Sequence, residues 1–231
     1  MSRSLRAALA FAIAALLALP AWAETTLAAA LQRSAPGINT QALQAALSAM
    51  ACAEAGGMPA AQRLALIDYS LPSTQRRLWV FDLQRRRLLL REWVAHGRNS
   101  GDNLPTRFSN EPDSLTSSLG LFRTLAAYDG RNGYSLRMDG LEPGINDRAY
   151  ERALVIHGAG YVDVRMARRQ GRLGRSWGCP AVRAGVAREL IDTLKDGQLV
   201  FAWHPDQAWL QASKLQQCPA RSAPLLTAAA D

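Results

Sequence analysis

Lysine is nearly absent: Lys195 and Lys214 are the only two in 231 residues, although lysine and arginine together number 27. The positive charge is therefore arginine, which favours planar, two-point contact with carboxylates or phosphates. Cysteine is scarce as well. Three of them exclude a disulfide-dense mini-scaffold. With 17 glycines and 11 prolines, collagen-like and proline-rich fibrous chains are excluded. No uninterrupted apolar run reaches the ~20 residues that a membrane-spanning helix needs. Cys52, Cys179, Cys218, His96, His157 and His204 show no CxxC, HxxH or HExxH spacing, so neither a metal nor a cofactor is expected.

What is present is an ordinary globular balance, 48% hydrophobic and 20% charged, long enough to bury a real core. The first 23 residues read as an export signal. Arg3 and Arg6 form the basic start, Ala7 to Leu19 the short apolar run, and Ala21-Trp22-Ala23 the cleavage site before Glu24. Losing those two arginines takes the formal charge from +8 to +6. The expected setting is outside the cytoplasm, most simply the periplasm, without stable membrane insertion after cleavage. There a basic protein meets carboxylate-rich polymers rather than nucleic acid. The sequence carries no signal of oligomeric state.

In an oxidising compartment two of the three cysteines can pair. Cys52 lies in a helical N-terminal stretch and Cys218 in a C-terminal one, so a Cys52–Cys218 bridge would staple the ends of the domain and leave Cys179 free. The alternative is three reduced, buried thiols.

Along the chain, residues 24–60 form an Ala-, Leu- and Gln-rich helical segment. Apolar residues recur at helical spacing from Asn39, a cap, to Gly56-Gly57, a stop. Leu78 to Leu83 and Leu88 to Val94 read as a hairpin with Arg85 to Arg87 at its tip. A polar stretch runs from Arg98 to Ser118. Short apolar runs at 119–128, 133–138 and 153–157 are expected strands, and 182–196 a helix. A last strand, Gln198 to Trp203, precedes a helix expected from Asp206 to Gln217, and the tail after Pro219 reads as loose. The expected fold is one mainly-β domain, of sandwich or barrel type, with peripheral helices at both ends.

Two segments combine reactive side chains with glycine: Ile156-His157-Gly158-Ala159-Gly160 and Arg175-Ser176-Trp177-Gly178-Cys179-Pro180. A thiol reacts as its thiolate, and a nearby imidazole takes its proton. Gly178 permits close approach to Cys179, and peptide N–H groups there suit an oxyanion hole. A helix opening near Val182 would aim its positive end at the thiol and depress its pKa. Ser176 is placed to bond the histidine or the substrate, and Arg175 to meet a carboxylate. Asp163 is a candidate for orienting His157. Spacing alone leaves catalysis level with a buried cysteine beside a packed histidine.

His157-Gly158 followed by Ser176-Trp177-Gly178-Cys179 resembles the active-site signature of the L,D-transpeptidase (YkuD-like) catalytic domain. Arg175 to Ala181, the segment from His96 to Gly101, and the segment from Tyr128 to Leu136 look like the murein L,D-transpeptidase branch. The resemblance covers residues 65–204, with 205–231 left as a C-terminal helix and tail. It implies a mainly-β fold and cysteine acyl transfer on peptidoglycan stem peptides. Cys179 would attack the L,D bond before the fourth-position D-alanine, and His157 would shuttle the proton. Gly178 and Cys179 would form the oxyanion hole, with Ser176 supporting the site. Arg175, Trp177, Gly158, His96 and Tyr134 would contact substrate. Water as acceptor would make the chain an L,D-carboxypeptidase instead, and a non-catalytic peptidoglycan-binding module is the reading from another class. Pro180 and Ala181 stand where family members commonly carry a hydrophobic residue and then Arg or Asn, with Arg183 the replacement to consider. Sortases carry a different cysteine segment, and papain-like hydrolases place Cys before His.

Overall fold

The computed structural model describes residues 26–218. The expected export signal and the tail after Pro219 lie outside them. Helix α1 (Leu27–Ser34) and helix α2 (Thr40–Ala55) open the described chain. The α2 sequence is alanine- and leucine-rich, a composition with intrinsic helix preference. Asn39 caps it, its side chain accepting from the N–H groups of Gln41 and Ala42, and the chain leaves the helix at Gly56. Its inner face, Ala42, Leu43, Ala46, Ala49 and Met50, is buried. Among the described residues no helix is long and apolar enough to cross a membrane.

The centre is one eight-stranded sheet. Its strands are β1 (Arg63–Asp68), β2 (Leu78–Asp82), β3 (Arg87–Glu92), β4 (Gly120–Gly130), β5 (Gly133–Gly140), β6 (Val155–Ala159), β7 (Ala181–Arg183) and β8 (Leu199–Trp203). The order is β3-β2-β1-β8-β4-β5-β6-β7, with β1–β8 and β6–β7 parallel and the other pairs antiparallel. The two edges approach each other: Val94, just past β3, bridges Val182 of β7, and Ala95 N–H donates to Ala181 C=O at 2.8 Å. The sheet is thereby nearly closed, which limits exposed strand edge. Strands β2 and β8 are buried at every position, as strands covered on both faces must be.

Helix α3 (Val164–Gln170), helix α4 (Ala184–Leu194) and helix α5 (Gln207–Ala212) complete the chain. The inner face of α4, Ala187, Leu190, Ile191 and Leu194, packs on the sheet, most extensively on β6. Two elements depart from the sequence expectation, and one helix had no expectation at all. The 182–196 run is split: Val182 and Arg183, with Ala181 ahead of them, pair with β6 before the helix opens at Ala184. The arginine-rich segment around Arg168 forms α3, because Asp163 caps it and Gly171, at φ +79°, ends it. The last helix stops at Ala212 rather than Gln217, with Ser213 buried beside it and its hydroxyl donating to Glu142.

Cys52 in α2 and Cys218 are joined by a disulfide, Cα–Cα 5.9 Å, across 166 residues. Cys179 is the free thiol among the described residues.

Candidate active site

The site forms where β6 and β7 run parallel. His157 lies in β6 directly opposite Ala181 of β7, and the turn that carries Cys179, 175–180, enters β7. That places the imidazole and the thiol on one cavity of about 360 Å³, which opens to solvent. Its wall is Arg131, Asn132, Arg152, Ala153, His157, Tyr161, Arg175, Ser176, Trp177 and Cys179. It contains three arginines and no carboxylate.

The turn is built by Ser176. Its hydroxyl donates to the carbonyl of Cys179 at 2.6 Å and accepts from the N–H of Gly178 at 3.1 Å. Gly178 adopts φ +125°, where a Cβ would meet Thr116 O at 2.8 Å and Leu154 Cδ2 at 2.9 Å, so only glycine fits. A neighbouring segment holds the turn from outside. Ser176 N–H donates to His96 C=O at 3.0 Å, and Arg98 N–H to Ser176 C=O at 2.8 Å. Ser117 Oγ donates to Gly178 C=O at 3.1 Å while accepting from Gly97 N–H at 3.0 Å. A Cβ at Gly97 would lie 2.5 Å from Leu115 O.

His157 is buried, and its Nδ1 lies 3.0 Å from the carbonyl of Gly158. A carbonyl only accepts, so the proton sits on Nδ1 and Nε2 carries the lone pair. Burial holds the imidazole below its ordinary pKa of 6.5, against the raising effect of that hydrogen bond. Cys179 Sγ donates to Ala153 O at 3.8 Å. Burial pushes this thiol up, outweighing hydrogen bonds from the backbone of Val155 and of Cys179 itself and the charge of Arg152. The expected depression of the Cys179 pKa is therefore corrected: desolvation exceeds the opposing charges, and the helix that was to point at the thiol opens only at Ala184. At neutral pH the structure holds a neutral thiol and a neutral imidazole.

Several expected contacts resolve differently. The hydroxyl of Ser176 is spent inside the turn rather than on His157. The Gly178 N–H, expected in an oxyanion hole, donates instead to that hydroxyl. Asp163 caps α3, accepting from the N–H groups of Arg165 and Met166, and does not orient His157. Arg183 is held by Glu92 through two bonds, 2.8 and 2.5 Å, away from the cavity wall.

Of the expected substrate contacts, Arg175 and Trp177 line the cavity, and His96, Gly158 and Tyr134 do not. Arg175 Nη1 donates to Gly101 O at 2.9 Å and lies 3.5 Å from Asp102. Trp177 is 65% exposed, with the Arg131 guanidinium 5.9 Å from its ring centroid. His96 is fully buried. Arg77 Nη2 donates to its Nδ1 at 2.7 Å, and burial, with the charge of Arg77, lowers its pKa to about 3. Gly158 faces α4, where a Cβ would meet Ala187 Cβ at 2.9 Å. The hydroxyl of Tyr134 donates to Asp192 of α4 at 2.7 Å.

Five wall residues escaped the sequence reading: Arg131, Asn132, Arg152, Ala153 and Tyr161. Arg152 donates to Ser109 O, Ser118 Oγ, Ser114 Oγ and Thr116 O, pinning the polar stretch beside the thiol. Burial pushes the Tyr161 phenol up to about 12, so its hydroxyl stays a donor at neutral pH. Ala153, a non-glycine residue at φ +51°, presents the carbonyl that Cys179 contacts. No group of three His, Cys, Asp or Glu among the described residues is placed to hold a metal ion.

The L,D-transpeptidase catalytic domain family matches the chain over residues 34–203. No curated protein matches it. Among solved structures, it is similar to an L,D-transpeptidase from Mycobacterium smegmatis, 14% identical over 62% of this chain and 59% of that one, TM-score 0.40. It is similar also to the Ldtfm–avibactam carbamoyl enzyme, 14% identical over 64% and 51%, TM-score 0.38. A third is a mutant of the helical cell shape determining protein Pgp2 from Campylobacter jejuni, 12% identical over 69% and 57%, TM-score 0.42. This chain thus spans between half and three-fifths of the length of these structures.

Proposed function

The chain belongs to the L,D-transpeptidase catalytic domain family, and from that premise we propose that it is an exported cysteine acyltransferase acting on peptidoglycan stem peptides. The observation that carries this reading is the shared cavity of Cys179 and His157, walled by arginines without a carboxylate. A tetrapeptide stem is rich in carboxylates, and Arg131, Arg152 and Arg175 supply the opposite charge.

Because thiol and imidazole are both neutral at rest, His157 acts as a general base during attack rather than as half of a standing ion pair. Its Nε2 takes the thiol proton while Gly158 C=O holds Nδ1–H and stabilises the imidazolium that forms. Sulfur adds to the carbonyl before the fourth-position D-alanine. The Cys179 N–H and the neutral Tyr161 hydroxyl are the donors left for the oxyanion. The imidazolium then protonates the departing D-alanine amine, leaving a thioester on Cys179. An amine of a second stem resolves it to a 3–3 crosslink, and water resolves it to a tripeptide.

We assign residues 1–23 to the export signal and 65–204 to the catalytic domain, in the periplasm, with no metal or cofactor in the reaction. The Cys52–Cys218 bridge suits an oxidising compartment. Incubating the mature protein with a disaccharide-tetrapeptide separates the outcomes. Crosslinked dimers absent with Cys179→Ala establish the transpeptidase, and tripeptide alone establishes the carboxypeptidase. Substrate retained without any product contradicts the enzyme reading and leaves a binding module.

A further inference from the structure

Behind the turn that carries Cys179, residues 115–117 form a wedge of backbone pressed between two glycines. A Cβ on Gly97 would stand 2.5 Å from Leu115 O and 2.8 Å from Ser117 N, and one on Gly178 would stand 2.8 Å from Thr116 O. The three segments stack this closely because neither position carries a side chain. The wedge is held from further sides. Ser117 N–H donates to Ser100 Oγ at 2.9 Å, Asn99 N–H to Leu115 O at 3.1 Å, and Arg152 of the cavity wall to Thr116 O at 2.8 Å. The buried hydroxyl of Ser117 points into the turn. It accepts from Gly97 N–H at 3.0 Å, and its own proton lies on the Gly178 carbonyl, 3.1 Å away, because a carbonyl only accepts. That carbonyl belongs to the same peptide unit as the Cys179 N–H. The unit is planar and trans, so its carbonyl and its N–H point in opposite directions. The carbonyl faces inward to Ser117, and the N–H faces outward on the side of the Cys179 sulfur, with which it makes a hydrogen bond. Ser176 holds the peptide units before and after this one, through Gly178 N–H and Cys179 C=O. Ser117 holds the unit between them.

We propose that Ser117 is a positioning residue for acyl transfer: its hydroxyl fixes the plane of the Gly178–Cys179 peptide so that the Cys179 N–H faces the substrate oxygen that becomes charged. The proposal rests on the reading of Cys179 as the acylated nucleophile. As sulfur adds to the substrate carbonyl carbon, the C=O electron pair moves onto oxygen, and the Cys179 N–H meets that charge. Ser117 acts on this donor in two ways. It stops the peptide from rotating, and its proton on the Gly178 oxygen polarises the unit, which makes the N–H at the other end a stronger donor. Both effects grow with the charge on the oxygen. They therefore lower the barrier without tightening the binding of substrate.

The test compares the wild type with Ser117→Ala and Ser100→Ala, using tetrapeptide stem as donor. Ser100 is equally buried and braces the same wedge, but its hydroxyl does not touch the Gly178–Cys179 peptide. Two readouts are taken: kcat and KM for D-alanine release, and the infrared band of the thioester carbonyl formed from a stem carrying 13C at that carbon. Ser117→Ala is expected to lower kcat by ~10–100-fold, short of the loss from deleting an oxyanion donor outright, with KM within ~3-fold of wild type. Its thioester band is expected at higher frequency, because the carbonyl has lost hydrogen bonding. Ser100→Ala is expected to melt earlier yet keep the wild-type band and kcat. If Ser117→Ala does not fold, Ser117→Cys, close in shape but a far weaker donor, takes its place with the same expectations. An unmoved band overturns the proposal, as does an unchanged kcat or a loss carried by KM. Equal changes in Ser100→Ala overturn it too, since the wedge and not the hydroxyl would then be responsible. A wild type that forms no thioester contradicts the functional reading, and this role falls with it.

Discussion

Replacing Ser176 with alanine tests whether one buried hydroxyl builds the turn that carries Cys179. Ser176 is 4% exposed, and its Oγ serves two backbone groups at once, the Cys179 carbonyl and the Gly178 N–H. Each group left buried without a partner costs about 1–3 kcal/mol. The flanking bonds from Ser176 N–H to His96 and from Arg98 N–H to Ser176 remain, so the strand edge persists and the damage is local. A net loss of about 2–4 kcal/mol is expected after partial relaxation, which for a domain of this size lowers Tm by ~5–15 °C. Release of the turn also displaces Cys179 from His157, and a shift of the order of 1 Å costs roughly 100-fold in turnover. Differential scanning calorimetry and D-alanine release, run on the same preparation, give both numbers. A variant that melts within ~1 °C of wild type, where at least ~5 °C is expected, refutes the reasoning if it also turns over normally.

Reducing the Cys52–Cys218 bridge, or replacing both cysteines with serine, opens a loop of 166 residues. The chain-entropy model sets an upper bound of ~5 kcal/mol on the loss, so Tm should fall by as much as ~10–20 °C; an unchanged melting curve contradicts the stapling role. Iodoacetamide labelling of Cys179 should keep accelerating up to and beyond the ordinary thiol range, because burial raises its pKa. A plateau already reached at neutral pH would instead reveal a standing thiolate. His96 should stay neutral down to about pH 3. Below the ordinary pKa of 6.5 the unfolded imidazole binds a proton that the folded one refuses, so this residue withdraws stability progressively as pH falls from about 6.5 to about 3. Imidazole NMR shifts of His96 that titrate near 6.5 rule that burial out.

The β-strand runs and α2 were legible because their patterns are local. Alternation or continuous apolar character marks β2, β4 and β8, and Asn39 and Gly56 punctuate α2. Segment β7 was hidden because its three residues take their conformation from pairing with β6 rather than from any period of their own. Strand β1 was not read from the sequence, since Arg63–Asp68 is one short apolar run without alternation. In the site, His157, Cys179, Ser176 and Gly178 were visible as a motif, but their hydrogen bonds were not. His96 and Tyr134 sit in segments that resemble the family's and act as framework: one is packed against Arg77, the other tied to α4. Arg152 and Ala153 carry no motif, because they reach the thiol only through the return of the chain into β6. Burial decided the Cys179 titration, and burial is a property of the whole fold rather than of neighbouring residues.

The central claim is that Cys179 becomes acylated. Intact-protein mass spectrometry after mixing with tetrapeptide stem, followed by peptide mapping, tests it directly. The account predicts an adduct equal to the stem minus D-alanine, confined to the peptide that carries Cys179 and missing from Cys179→Ala. An adduct on another residue, or D-alanine released by Cys179→Ala at the wild-type rate, contradicts it.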